Sequence, residues 1–153
     1  MTTNRTKRRR ALLAAASALY AFAVWWMTLR PEPYGAETAG ILRRVLALLA
    51  GWPPTAWVTF DIVEFAANVT MFVPFGLLVS AWGGRPWQGV LGGFIASAVI
   101  ETTQLLFLPT RVADVRDLVA NTLGATIGVL VAALISRVIR LHSERIATAI
   151  ESS

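Results

Sequence analysis

Residues 114–121 read DVRDLVAN: two acids, an Arg and an Asn at the start of a mainly apolar run that lasts from Leu118 to Ile135. Residues 61–68 read DIVEFAAN and likewise open an apolar segment. Both octets fit the frame acid-x-x-acid-x-x-Ala-Asn, and the segments behind them decide the fold. A block of about 18 or more predominantly apolar residues is long enough to cross a bilayer as a helix. Four such blocks lie along the chain, at about 11–29, 62–82, 87–108 and 117–136. The first carries no charge. The second contains Glu64, Asn68 and Pro74, the third Glu101 and Gln104, and the fourth Asp117 and Asn121.

Composition agrees. Of the 153 residues, 56% are hydrophobic and 15% charged, where a soluble domain carries about 25% charged residues. Mean hydropathy is +0.59. The expected architecture is an all-α membrane protein: a four-transmembrane-helix bundle made of two parallel helical hairpins, with a short outer amphipathic helix and a cytoplasmic C-terminal helix. Residues 1–10 form a basic cytoplasmic N-terminus, 11–136 the membrane domain, and 137–153 an amphipathic tail whose apolar positions 135, 138, 139, 146 and 150 share one face, suited to lying along the membrane surface. The start, TNRTKRRR before an apolar run, has the outline of a signal peptide. Its apolar part exceeds the usual ~7–15 residues, and TLRPEP follows it in place of an A-x-A-like site. It reads as a retained first span.

The chain has no cysteine, which excludes disulfides, thiolate metal sites and Cys nucleophiles. The single histidine, His142, lies beyond the last span. Lys and Arg outnumber Asp and Glu by 14 to 9. The excess reflects membrane insertion rather than nucleic acid, since basic residues gather on the cytoplasmic side of spans. With a cytoplasmic N-terminus, Arg5, Lys7, Arg8, Arg9, Arg10, Arg85, Arg137, Arg140 and Arg145 are inside, and Arg30, Arg43, Arg44, Arg111 and Arg116 outside. The acids divide the other way: only Glu144 and Glu151 are inside, and Asp61, Glu64, Glu101, Asp114 and Asp117 lie at or toward the outer side. In the outer segment between the first two blocks, RPEPYG reads as a turn. ETAGILRRVLALLA reads as an interfacial or re-entrant helix with Arg43 and Arg44 on its polar side, and Trp52, Trp57 and Phe60 suit the aromatic belt.

Helical spacing gathers the polar residues. Positions i, i+3 and i+7 share a stripe, so Asp61, Glu64 and Asn68 form one, Asp114, Asp117 and Asn121 another, and Glu101 with Gln104 an i, i+3 pair. At about 1.5 Å rise per residue, Glu64, Asp117 and Gln104 lie some 5–6 Å below the outer surface. Asn68, Asn121 and Glu101 lie about 10 Å below it. Simpler readings stand beside a binding site. Asp61 and Asp114 fit helix N-caps, with Glu64 and Asp117 at capping-box positions. Asn68 and Asn121 fit interhelical glue. Glu101 is too far from either helix end to be a cap, and an acid deep in a span costs roughly 2.5–3.5 kcal/mol, so it needs a partner. Arg111 and Arg116 are the natural ones. Pro74 removes the donor to the carbonyl of Thr70 and predicts a kink. Gly89, Gly92 and Gly93, and the pair Gly124 and Gly128, read as close-packing positions.

The order Asn68, Phe72, Pro74, Gly76, then Glu101 and Gln104, then Arg111, Asp114, Asp117, Asn121, Gly124 and Gly128 resembles the VanZ-like family of small membrane proteins. It matches N-x-x-x-F-x-P-x-G, E-x-x-Q and R-x-x-D-x-x-D-x-x-x-N-x-x-G-x-x-x-G over roughly residues 60–132. The resemblance implies a multi-span bacterial inner-membrane protein. The family's named member is associated with resistance to the glycopeptide teicoplanin, and the resemblance implies no established reaction.

Three functions fit the pattern. The first is a binding protein, in which Asp61, Glu64, Asn68, Glu101, Gln104, Arg111, Asp114, Asp117 and Asn121 line an outward-facing pocket for a polar or cationic group of an envelope lipid or glycopeptide. The second is a membrane-embedded enzyme acting on a lipid-linked envelope substrate through paired carboxylates or an oxygen-coordinated divalent cation. The third is a transporter or proton relay, disfavoured because no charge lies in the inner half of any span. The favoured reading, the first, assigns no catalytic residue, no metal ligand and no cofactor, and its partners are membrane lipid and the envelope ligand. Reporter fusions check the topology: a fusion after Arg85 is expected to report the cytoplasmic side and one after Leu108 the outer side.

Overall fold

The computed structural model describes residues 2–29, 36–108 and 114–151. It contains helices α1 (Thr2–Thr28), α2 (Ala36–Ala50), α3 (Phe60–Ala81), α4 (Pro86–Phe107) and α5 (Val115–Glu151), with a 3-10 turn at Pro53–Thr55. The described residues include no strand. The turn RPEPYG at 30–35 and the loop residues 109–113, Arg111 among them, lie outside the described residues.

Each boundary has a local cause. Thr59 is extended, and its hydroxyl accepts from the backbone N–H of Ile62 at 3.4 Å, starting α3. Asp61 is therefore not the cap; it sits within the first turn, where a carboxylate favours the helix dipole. At α5 the cap is Asp114, whose Oδ1 accepts from the Arg116 N–H at 2.8 Å. The two octets thus enter their helices two residues out of step. Past the end of α3 the chain turns at Gly83, with φ +87°. There the Gly83 N–H donates to Ser80 O at 3.0 Å and the Gly84 N–H to Val79 O at 2.9 Å, the paired closure of a Schellman motif. Pro86 opens α4, and Gln88 Oε1 accepts from the Arg85 N–H at 2.7 Å.

Four helices, α1, α3, α4 and α5, are long and apolar enough to cross a membrane. The chain is inside-out relative to a water-soluble protein: its buried residues include Gly76, Ala120, Gly124, Ala125 and Gly128, while Leu19, Phe22, Leu91, Phe94 and Leu130 face outward. α2 fits the expected interfacial helix. Ile41, Val45 and Leu48 form an exposed apolar stripe, with Arg43 on the opposite side and Arg44 on its flank. Residues 137–151 are helical as expected, but as the uninterrupted end of α5 rather than a separate surface helix. At 37 residues α5 is about 55 Å long, well beyond the ~30 Å hydrocarbon layer.

The main packing is α3 on α5, followed by α4 on α5. α3 and α5 run parallel, and their backbones touch. A Cβ on Gly124 would run into the carbonyl of Val69, on Gly128 into that of Val73, and on Gly76 into that of Ala125. α4 closes on the same helix through Gly89 and Gly93, which sit against Val129 and Ala125. Helix α3 continues through Pro74; next to the carbonyl of Thr70 that the proline leaves without its usual donor, the Tyr20 hydroxyl of α1 donates to Met71 O at 3.1 Å.

This contact predicts unequal glycines. Gly128→Ala is expected to destabilise the protein by about 3 kcal/mol, the upper part of the overpacking range, since backbone cannot yield as a side chain does. Gly40→Ala on α2 meets open space and is expected to be neutral or to stabilise by up to ~1 kcal/mol. Unfolding in detergent micelles measures both.

Candidate functional site

The parallel packing of α3 and α5 brings the starts of both helices to one end of the bundle, where α4 finishes. Asp61, Glu64 and Phe65 from α3 and Arg116 and Asp117 from α5, with its cap Asp114, enclose a cleft of about 10 Å³. That is room for the centre of roughly one water-sized group. Asp61 Oδ2 pairs with Arg116 Nη1 at 3.0 Å, both side chains 59% exposed. One turn further in, Asn68 Nδ2 donates to Asp117 Oδ1 at 2.6 Å, and one turn beyond that Asn121 Nδ2 donates to Ser97 Oγ of α4 at 2.9 Å. Asn121 is 3% exposed, and no donor among the described residues reaches its Oδ1.

Glu101 joins this assembly by a route that charge pairing did not suggest. Its Oε2 accepts from the backbone N–H of Asp114 at 3.1 Å. Glu101 lies six residues before the end of α4, so α5 starts well below the level where α4 stops. Side chains therefore satisfy the opening of α5 twice: Asp114 caps its first turn from within, and Glu101 receives the donor of the cap residue from the neighbouring helix. Arg116, expected at Glu101, lies instead against Asp61 on α3; Arg111 lies outside the described residues.

Gln104 departs from the cluster. Its Nε2 donates to the carbonyl of Thr28 at 2.7 Å, in a buried contact. Thr28 is the last residue of α1, so the amide satisfies one of the carbonyls a helix C-terminus leaves open. An i, i+3 pair differs by about 60° around the helix; that angle sends Glu101 toward α5 and Gln104 toward α1. Of the motif residues, Phe72 is 1% exposed, Gly76, Gly124 and Gly128 form the α3–α5 contact, and Pro74 faces outward. Ser97 and Thr59 were not anticipated. Ser97 could have been found, because it shares the i, i+4, i+7 stripe with Glu101 and Gln104. Among the described residues, no three His, Cys, Asp or Glu side chains converge as ligands for a metal ion.

The family model described as VanZ/LLP1 matches residues 17–136. The chain belongs to the VanZ/LLP1 family. The matched region takes in the C-terminal part of α1, from Ser17 onward, as well as α3, α4 and the spanning part of α5, so the end of α1 clamped by Gln104 belongs to the family's common region. No curated protein and no solved structure matches the chain. Membership and the four apolar helices make this a multi-pass membrane protein.

The inner contact of the cluster should matter more than the outer one. A double-mutant cycle on Asn68→Ala and Asp117→Ala is expected to give a coupling of about 1–2 kcal/mol, between the usual worth of a charged hydrogen bond and that of a polar contact in a membrane bundle. The cycle on Asp61→Ala and Arg116→Ala is expected to give a smaller coupling that fades as salt is raised.

Proposed function

We propose that this VanZ/LLP1 protein is a binding protein of the cell envelope, oriented with both termini in the cytoplasm and the acidic cluster facing outward. In this reading the cluster receives a cationic or hydrogen-bond-donating group of an envelope lipid or glycopeptide. The observation that carries it is the assembly of carboxylates from α3 and α5 around a single small cleft. Among the described residues five acids, Asp61, Glu64, Glu101, Asp114 and Asp117, belong to this end, with Arg116 paired to the first of them. The buried Asn121 Oδ1 below them is a further acceptor. A cleft of about 10 Å³ admits one ammonium-sized group rather than a whole molecule, so the bulk of the ligand stays outside in the headgroup layer. The distribution of Lys and Arg supports the orientation.

The test is ligand-dependent stabilisation in detergent, with teicoplanin and lysyl-phosphatidylglycerol as amine-bearing probes. A probe at about 100 times its Kd is expected to stabilise the wild type by ~2.7 kcal/mol. Glu64→Gln keeps the shape of the side chain and removes its charge, and is expected to abolish the stabilisation while leaving the unliganded protein folded. If neither probe stabilises the wild type, or Glu64→Gln responds as the wild type does, the reading fails.

A further inference from the structure

A second feature lies on the other side of α3. α1 stands off the bundle, leaving two adjacent spaces between itself and α3 and α4, of about 380 Å³ and 560 Å³. Tyr20, Ala21 and Phe75 line both. From Ser17 to Leu29 on α1 they follow about 18 Å of the helix axis, within the membrane-spanning segments.

The chemistry of the wall selects the filling. In the first space the wall is apolar, with Val24, Phe72, Val99 and Ile100 among its residues. Its three hydroxyls already donate to backbone carbonyls: Tyr20 to Met71 at 3.1 Å, Thr28 to Val24 at 2.7 Å and Thr103 to Val99 at 2.7 Å. Water needs two to four polar partners to occupy a buried space, and the hydroxyl protons of this wall are committed. An empty space of this size would forfeit contacts on every side. Hydrocarbon fits it.

The second space ends at the opposite pole from the acidic cluster, at Trp82, Gly84 and Gln88. Here the surroundings turn basic. Arg9 Nη2 donates to Ala81 O at 2.8 Å, where its charge also opposes the C-terminal dipole of α3. Arg85 is exposed in the turn that follows, Arg8 and Arg10 are exposed on either side of Arg9 in α1, and a Cβ on Gly83 would meet nothing within 4 Å.

The geometry points to a binding site for an anionic phospholipid, with one acyl chain between α1 and the α3–α4 pair and the phosphate among Arg9, Arg85 and their neighbours. The lipid belongs to the leaflet on the side of the basic N-terminus. The site is independent of the acidic end, so each stands or falls by its own test.

Native mass spectrometry of the full chain, offered phosphatidylglycerol and phosphatidylcholine with the same acyl chains, tests it. The wild type is expected to retain phosphatidylglycerol in preference. Ala21→Phe puts a ring into the space and is expected to lower retention of both lipids to the detergent background, with the unfolding temperature held or raised. Arg85→Gln is expected to lower the preference for phosphatidylglycerol about fivefold, the effect of one basic group at an anionic surface; Arg44→Gln on α2 leaves it unchanged. Retention in Ala21→Phe equal to the wild type overturns the acyl site. Equal retention of the two lipids by the wild type overturns the headgroup assignment. Should Ala21→Phe fail to fold, the Arg85→Gln comparison decides: a lost preference supports the site and an unchanged one overturns it.

Discussion

The direct backbone approach of α3 and α5 is the constraint on which the rest of the molecule depends. Helices in a bilayer gain little from burying apolar side chains against each other, because lipid is as apolar as they are; close contact must supply the attraction. Gly124 against Val69 and Gly128 against Val73 provide that contact, and the Arg116–Asp61 pair at the mouth has the same separation of 55 residues. The glycine register thus sets the register of the polar end. A shift of one turn along the interface would carry Asp117 away from Asn68 and Arg116 away from Asp61 together.

The acidic cluster is tolerable in a membrane protein because most of its charge lies where helices begin. Asp61 and Asp114 occupy the first turn or the cap, near the interface and near the positive ends of two parallel dipoles. Asp117 receives the Asn68 amide. Glu101 is the residue whose position in mid-span looked most costly, and its contact explains it. Because α5 starts below the end of α4, the N–H of its cap residue comes beside Glu101, whose carboxylate accepts it. The carboxylate and the donor each satisfy a group the other helix needs satisfied. The charge of Glu101 is then compatible with a structural role, and Glu64, which lines the cleft, is the sharper probe of binding.

The helices and their inward stripes were legible because both rest on local rules: block length, and the i, i+3, i+7 spacing of Asp61, Glu64 and Asn68. The glycine contacts were legible for the same reason, since Gly124 and Gly128 repeat every four residues. What was not legible is which neighbour each stripe meets. Glu101 and Gln104 differ by one turn and about 60°, and that difference sends them to different helices. Arg116 was close in sequence to Glu101 and pairs across the bundle with Asp61 instead. The start of α3 was ambiguous at the level of residue type, because Thr59 and Asp61 both make good caps; the structure uses Thr59, and the resemblance between the two octets does not extend to their places in the helix.

The two kinds of attachment in this bundle have different consequences. α3, α4 and α5 meet through glycines and small side chains, which leave no room for exchange: a helix displaced there loses contact along its length. α1 is held otherwise, by separate hydrogen bonds from or to Arg9, Ser17, Tyr20 and Thr28, spaced from one end of the helix to the other. Three of the four end on backbone carbonyls, which any donor can satisfy, and between them lie spaces bounded by apolar wall. α3, α4 and α5 therefore form the rigid frame that fixes the acidic end, and α1 is a strut pinned to it at intervals. Substitutions in the pins should loosen α1 without disturbing the cleft, because no residue of α1 lines it.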